Sequence, residues 1–190
     1  MSAEWVTAIG TVGTFVVIAA SAVAALIQLQ HIRGSNQIAA LTEFRETMEG
    51  EQFQSAQRFV SFELRERLKD PAEQVKATTL PFGGEYTAIA TVANMFEALG
   101  GFVRDGVIDP DVACNVVSLI VVRNWDALLP VTTYVRRKVG SKALWENFEY
   151  LAYCSKRFIE AHPEGRYPQG VPRLPEDPWL ADKMEPRTNL

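Results

Sequence analysis

The chain has 190 residues, with 19 lysines and arginines against 23 aspartates and glutamates, for a formal net charge of -4. The two signs are mixed along the sequence, so there is no basic stripe to neutralise phosphates, which excludes nucleic acid as the main partner. Two cysteines, Cys114 and Cys154, are too few for a disulfide framework, and each sits in an apolar helical pattern where a free thiol acts as a small hydrophobe.

Residues 1–4 form a short flank. From Trp5 to Leu29 there is no charged side chain, and the run is rich in Ala, Val and Ile. As a helix it spans about 37 Å, enough to cross a bilayer core of roughly 30 Å with some tilt. The competing reading is a cleavable signal peptide cut after Ala22-Val23-Ala24. Against it, the leader lacks a basic n-region, and the apolar run continues through Ala25, Leu26, Ile27 and Leu29. Arg33 and Arg45 follow the span while Glu4 precedes it, so the positive-inside rule places the C-terminal domain in the cytoplasm of a single-pass protein of a bacterial inner membrane. Gly10 with Thr14 and Ala20 with Ala24 are small-xxx-small pairs that permit a homo-oligomer.

Residues 30–162 read as one helical domain. Leu41, Phe44 and Met48 recur at helical spacing in a segment that continues the apolar helix or bends near Arg33-Gly34-Ser35-Asn36. A second helix runs from about Glu51 to Lys69, its face built from Phe53, Ala56, Val60 and Leu64 and widened by Phe59 and Phe62. Asp70-Pro71 ends it, and a loop with Pro81 and Gly83-Gly84 follows. Ile89, Val92, Phe96, Leu99 and Val103 mark a third helix, with Gly106 placed as its C-cap residue. Asp109-Pro110-Asp111 is a start signal: an N-cap carboxylate, Pro at the first helical position and a favourable acid near the positive end. The helix it opens carries Val112, Val116, Leu119, Ile120 and Trp125 and is interrupted around Pro130. Its β-branched runs also fit a strand, but no second strand offers a partner. A last helix from about Ser141 to Ala161 buries Leu144, Phe148, Leu151 and Phe158, with Trp145 and Tyr150 at its margins. The fold class is therefore all-α: one N-terminal transmembrane helix, a compact bundle of about five helices and an irregular tail.

Residues 163–190 hold six of the ten prolines, which remove helical hydrogen bonds and favour extended backbone. This tail is either frayed or laid along the bundle, or it presents Tyr167, Leu174 and Trp179, with Leu180, as anchors for a protein partner's groove.

The chemical motifs are mostly missing. His31 and His162 stand in no Glu-x-x-His or His-Glu-x-x-His spacing, and no Walker-type glycine loop is present, so no metal or other cofactor is expected. Charged groups at the edges of apolar faces remain: Glu97, Arg104, Arg123, Arg136 and Glu149, with Trp125 among them. Glu97 and Glu149 can both turn inward toward Arg123 or Arg136, giving either an ion-pair network that fixes helix register or, where burial raises the pKa of one, paired carboxylates for acid/base work.

Phe96-Glu97-Ala98-Leu99-Gly100-Gly101-Phe102-Val103-Arg104-Asp105-Gly106-Val107-Ile108-Asp109, then Arg123-Asn124-Trp125, Leu129-Pro130, Arg136 and Asn147-Phe148-Glu149-Tyr150-Leu151-Ala152, resembles the bacterial domain-of-unknown-function family 4760. The resemblance covers about residues 37–157 plus the apolar helix and leaves the Pro-rich tail outside. It implies short proteins with an N-terminal membrane helix and a helical domain, and it transfers no catalytic or ligand-binding residue. The expected function is a non-catalytic binding or scaffolding module at the cytoplasmic face. The alternatives are a membrane-tethered sensor with a small ligand beneath Trp125, and an enzyme using the bundle carboxylates.

Overall fold

The computed structural model describes the backbone of residues 3–175 and the side chains of residues 12–175 other than 30, 33 and 36. The described residues include no strand. Helix α1 (Ala3–Glu49) is 47 residues long and runs unbroken through Gly34-Ser35-Asn36, without the bend that this polar, glycine-containing stretch allows. Its segment Val12–Leu29 has a mean hydropathy of 2.2 and buries nothing, so it is apolar and long enough to cross a membrane. Farther along, Ala40, Leu41, Phe44 and Met48 pack on the core, and Phe44 meets Phe102 edge to face at 5.8 Å.

At Gly50 the backbone becomes extended (φ -63°, ψ 138°) and α2 (Glu51–Arg58) begins. A π-helical turn (Phe59–Glu63) leads directly into α3 (Leu64–Arg67). The wider turn inserts a residue into the helical register. It keeps Phe59, Val60 and Leu64 buried and turns Phe62 outward to 68% exposure, against the expectation that Phe62 widens the buried face.

Asp70-Pro71 closes that helix and also opens another, α4 (Pro71–Ala77), a helix that the apolar periodicity does not reveal. The Asp70 carboxylate accepts from the Ala72 N–H at 2.8 Å, and Pro71 occupies a first-turn position where no N–H is needed. After a 3₁₀ turn (Gly84–Tyr86) comes α5 (Thr87–Arg104), which ends with Gly106 in the left-handed region at φ +70°. Asp109 then caps α6 (Pro110–Val139), accepting from the N–H groups of Asp111 and Val112.

Helix α6 is not interrupted at Pro130. Pro130 lies on the exposed face, and the carbonyl that loses its partner belongs to Asp126, also exposed, where water can take over. The buried side of α6 is Ala113, Val117, Val121, Trp125, Leu128, Val131 and Val135, whereas Val112, Val116 and Leu119 face outward. With an 18-residue window of mean hydropathy 1.5 this helix also meets the length and composition of a membrane span, but 44% of that window is buried, as in a core helix.

The last helix, α7 (Glu146–Ala161), starts five residues later than expected. Residues 141–145 form a turn in which Trp145 adopts φ 57°, ψ 38° and is 5% exposed, so it is a core residue and not a marginal one. Helix α7 packs against both α5 and α6. An aromatic chain joins four helices: Phe53 to Phe96 at 6.0 Å, Phe96 to Phe148 at 5.1 Å, and Phe148 to Trp125 at 5.1 Å.

Two adjacent glycines in α5 make the packing testable. A Cβ on Gly100 would stand 2.1 Å from the Asn147 carbonyl oxygen, whereas one on Gly101 would meet only the Asn147 amide nitrogen at 3.8 Å. Gly100→Ala is expected to cost at least the ~1–3 kcal/mol of ordinary overpacking. Gly101→Ala should be neutral or stabilising by up to about 1 kcal/mol through helix propensity. Thermal unfolding of both variants measures this difference, and equal melting temperatures would contradict a close α5–α7 approach at Gly100.

Candidate functional site

Helix α7 begins without a capping side chain of its own, so its first-turn N–H groups need acceptors from elsewhere. Glu97, on α5, supplies one. Its Oε2 accepts from the Phe148 N–H at 2.9 Å and its Oε1 from Asn147 Nδ2 at 2.8 Å. Asn147 Oδ1 in turn accepts from Arg104 Nη1 at 2.7 Å, and Trp145 donates its indole N–H to Asn94 Oδ1 at 3.0 Å. Asn94, Glu97, Gly100 and Arg104 recur every three or four residues, so one face of α5 receives the entire start of α7.

The other side of that turn is held from α6. The Arg136 side chain, 15% exposed, donates from Nε to the Leu144 carbonyl at 2.9 Å and from Nη1 to Glu149 at 2.6 Å. Its guanidinium lies 5.8 Å from the centre of the Trp125 ring. Arg136 Nη2 and, one turn earlier, Thr132 Oγ1 are buried without a partner. The structure thus gathers Glu97 and Arg104 on one flank of α7 and Trp125, Arg136 and Glu149 on the other. Arg123 is on the exposed face of α6, apart from both groups. Glu97 and Glu149 engage different partners, one a backbone amide and the other a guanidinium, and do not form a two-carboxylate pair.

The ring of Trp125 is covered by Phe148 and Arg136 and is 6% exposed. The space for a ligand is elsewhere. A cleft of about 540 Å³ separates α4 from the C-terminal half of α6, with Leu68, Pro71, Val75, Pro130, Val131 and Tyr134 as its walls and Lys138 at its edge. The hydroxyls of Thr78 and Thr79 on this wall are turned to the carbonyls of Gln74 and Val75 at 2.7 and 2.6 Å. Apolar periodicity does not find these residues, because α4 is too short to show a repeat. The Asp70-Pro71 pair, identical to Asp109-Pro110, is the signal that marks it.

Behind α4 lies an ionic cluster that braces the cleft. Lys76 and Tyr86 both donate to the Glu73 carboxylate, and Arg67 reaches Glu73 at 3.7 Å and Glu85 at 3.0 Å. The bond from Lys76, and then that from Tyr86, hold the Glu73 carboxyl below its ordinary value of 4.5. Burial, reinforced by Glu73, pushes the Tyr86 hydroxyl well above its ordinary range. Burial likewise raises the Cys114 thiol, whose Sγ lies 3.8 Å from Ser155 Oγ, which keeps it in the poorly reactive thiol form.

In the tail, Tyr167 is stacked on by Arg173 at 4.6 Å, Leu174 is 87% exposed, and Trp179 lies outside the described residues.

These features define an all-α bundle carried on one long N-terminal helix, with Glu97, Arg104, Arg136 and Glu149 engaged at the start of α7. Residues 15–155 match the family described as Domain of unknown function (DUF4760), and the chain belongs to that family. Comparison with the curated proteins and with the solved structures finds no match.

Glu97→Gln puts an NH₂ where one of two donors now finds an oxygen, and should lower stability by about 1–3 kcal/mol. Glu149→Gln, at a half-exposed site, should cost less. A pair kept for chemistry would instead leave stability unchanged or raised when neutralised. Because the folded-state pKa of Glu73 is depressed, its contribution is present above the ordinary 4.5 and is lost as the pH falls through the folded value. Melting curves of Glu73→Gln between about pH 6 and about pH 3 should therefore show a smaller acid-induced drop than the parent chain.

Proposed function

We propose that this protein is a single-pass membrane protein whose cytoplasmic helical bundle is a non-catalytic binding or scaffolding module. The observation that carries this reading is α1, in which the uncovered apolar segment Val12–Leu29 and the core-packed Leu41, Phe44 and Met48 lie on one unbroken helix. Water does not tolerate 18 uncovered residues of that hydropathy, and a bilayer does. The family match begins at residue 15, inside the apolar segment, which supports a retained anchor over a removed leader. Arg33 and Arg45 on the domain side support a cytoplasmic bundle and a bacterial inner membrane. The use of Glu97, Arg104, Arg136 and Glu149 in fixing α7 supports binding over catalysis.

A second reading, a small-ligand sensor, is favoured by the cleft of about 540 Å³ between α4 and α6, whose size and apolar walls suit a small molecule. Lys138 at its edge suits an anionic end on that molecule. Gly10 with Thr14 and Ala20 with Ala24, each one turn apart on α1, support pairing of two anchors.

Alkaline carbonate extraction of membranes from cells making a C-terminally tagged chain tests the anchor. The tagged chain is expected in the pellet, with its 5–29 peptide still present by mass spectrometry and its tag protected from protease added to spheroplasts. Recovery of a soluble chain, or of one lacking that peptide, refutes the proposal.

A further inference from the structure

Of the residues that line the cleft between α4 and α6, Lys138 alone is charged, and none is acidic. Pro130, Tyr134 and Lys138 stand one turn apart on α6, all of them exposed, so this wall passes from apolar to cationic over about 12 Å. On the α4 side Val75 is 64% exposed, and the Tyr134 ring is 54% exposed, so the apolar walls are uncovered.

The side-chain donors of the α4 wall are already engaged. Gln74 Nε2 donates to the Leu68 carbonyl at 2.8 Å, and the Thr78 and Thr79 hydroxyls donate to the carbonyls of Gln74 and Val75. Glu73, the acid of α4, is outside the cleft lining and is bonded to Lys76 and Tyr86. The side-chain donors left for a ligand are the Tyr134 hydroxyl and the Lys138 ammonium, which have no hydrogen bond or ion pair among the described residues. Arg137, next to Lys138 in the last turn of α6, is likewise unengaged among them. Two cations therefore stand against the roughly half a negative charge of the helix terminus.

We propose that this cleft binds a small amphiphilic carboxylate, its two oxygens on Lys138 and Tyr134 and its apolar body against Val75, Pro71, Leu68 and Pro130. The proposal rests on the small-ligand reading of the cleft and gives that ligand its chemical class. One lysine matches one negative charge, whereas a phosphate monoester brings a second charge that no other lining residue meets. The length and the volume of about 540 Å³ suit one short chain, not the paired chains of a bilayer lipid, each of which reaches roughly 15 Å.

Photoaffinity labelling of the full-length chain in nanodiscs of zwitterionic lipid tests the assignment. Two probes are compared, decanoate and decanol, each with a diazirine near the end of its chain. Label on the 5–29 peptide reports probe dissolved in the bilayer, and label on peptides covering 68–79 or 130–138 reports the cleft. The decanoate probe is expected to label the cleft several-fold more than the decanol probe and to be displaced by excess decanoate. Its cleft label should fall about threefold in Lys138→Met, as for an exposed ion pair, and be lost in Val75→Trp, which fills the groove. Both side chains are exposed, so neither substitution disturbs the core. Equal labelling by the two probes, indifferent to Lys138→Met, would overturn the carboxylate and keep the small-ligand reading. No displaceable cleft label from either probe would overturn both. Loss of the cleft label when the discs contain anionic phospholipid would give the site to a membrane lipid and overturn the proposal.

Discussion

The architecture hangs on the contact between α5 and the first turn of α7. Gly100 lets the Asn147 backbone approach to a distance no side chain would allow, and that approach brings the amide of Phe148 under the Glu97 carboxylate. Once α7 is fixed there, Phe148 lies between Phe96 and Trp125, and α6 is tied to α5 largely through it. A helix that began one residue earlier would carry Phe148 about 100° around its axis and out of the aromatic chain. The left-handed Trp145 sets that starting point. Its strained backbone is held by its bond to Asn94 and its stacking on Phe82 at 6.1 Å.

Several charged groups in this bundle act on helix ends. Asp70 and Asp109 cap their own helices, whereas Glu97 caps a helix some 50 residues away in sequence. Arg136, near the C-terminal end of α6, satisfies the Leu144 carbonyl in the connecting turn and pairs with Glu149 just inside α7. A cation near a helix C-terminus and an acid near an N-terminus each gain from the helix dipole as well as from one another. The start of α7 is therefore held from two flanks, by Glu97 and Arg104 of α5 and by Arg136 of α6, which fixes rotation as well as position.

Local rules are legible where the residue's own neighbours decide. The Asp109-Pro110 start, the Gly106 stop and the apolar face of α5 follow from caps and periodicity, and so does the all-helical class. Asp70-Pro71 obeys the same rule, but coming so few residues after a helix it passes for an end alone. Phe62, Pro130 and Trp145 are illegible for another reason. The π turn that ejects Phe62, the exposed side that tolerates Pro130 and the pocket that holds Trp145 are all tertiary facts. The same holds for the site. Glu97, Arg104, Trp125, Arg136 and Glu149 stand out in the sequence as charged or aromatic edges of apolar faces, but Asn94 and Asn147, which complete the network, carry no such mark.

The connection between α1 and the bundle is a continuous helix. Gly34, Ser35 and Asn36 are poor helix formers, yet the helix persists through them, and Leu41, Phe44 and Met48 press its end onto the bundle. Phe44 touches Phe102, only two residues from Gly100 and from Arg104. The end of α1 is therefore packed beside the segment of α5 that positions α7, and α7 is tied in turn by Glu149 to Arg136 on α6. Val131, in the wall of the cleft, belongs to the same core as Phe148 at the start of α7, so the last turns of α1, the α7 start and one side of the cleft rest on one close-packed interior.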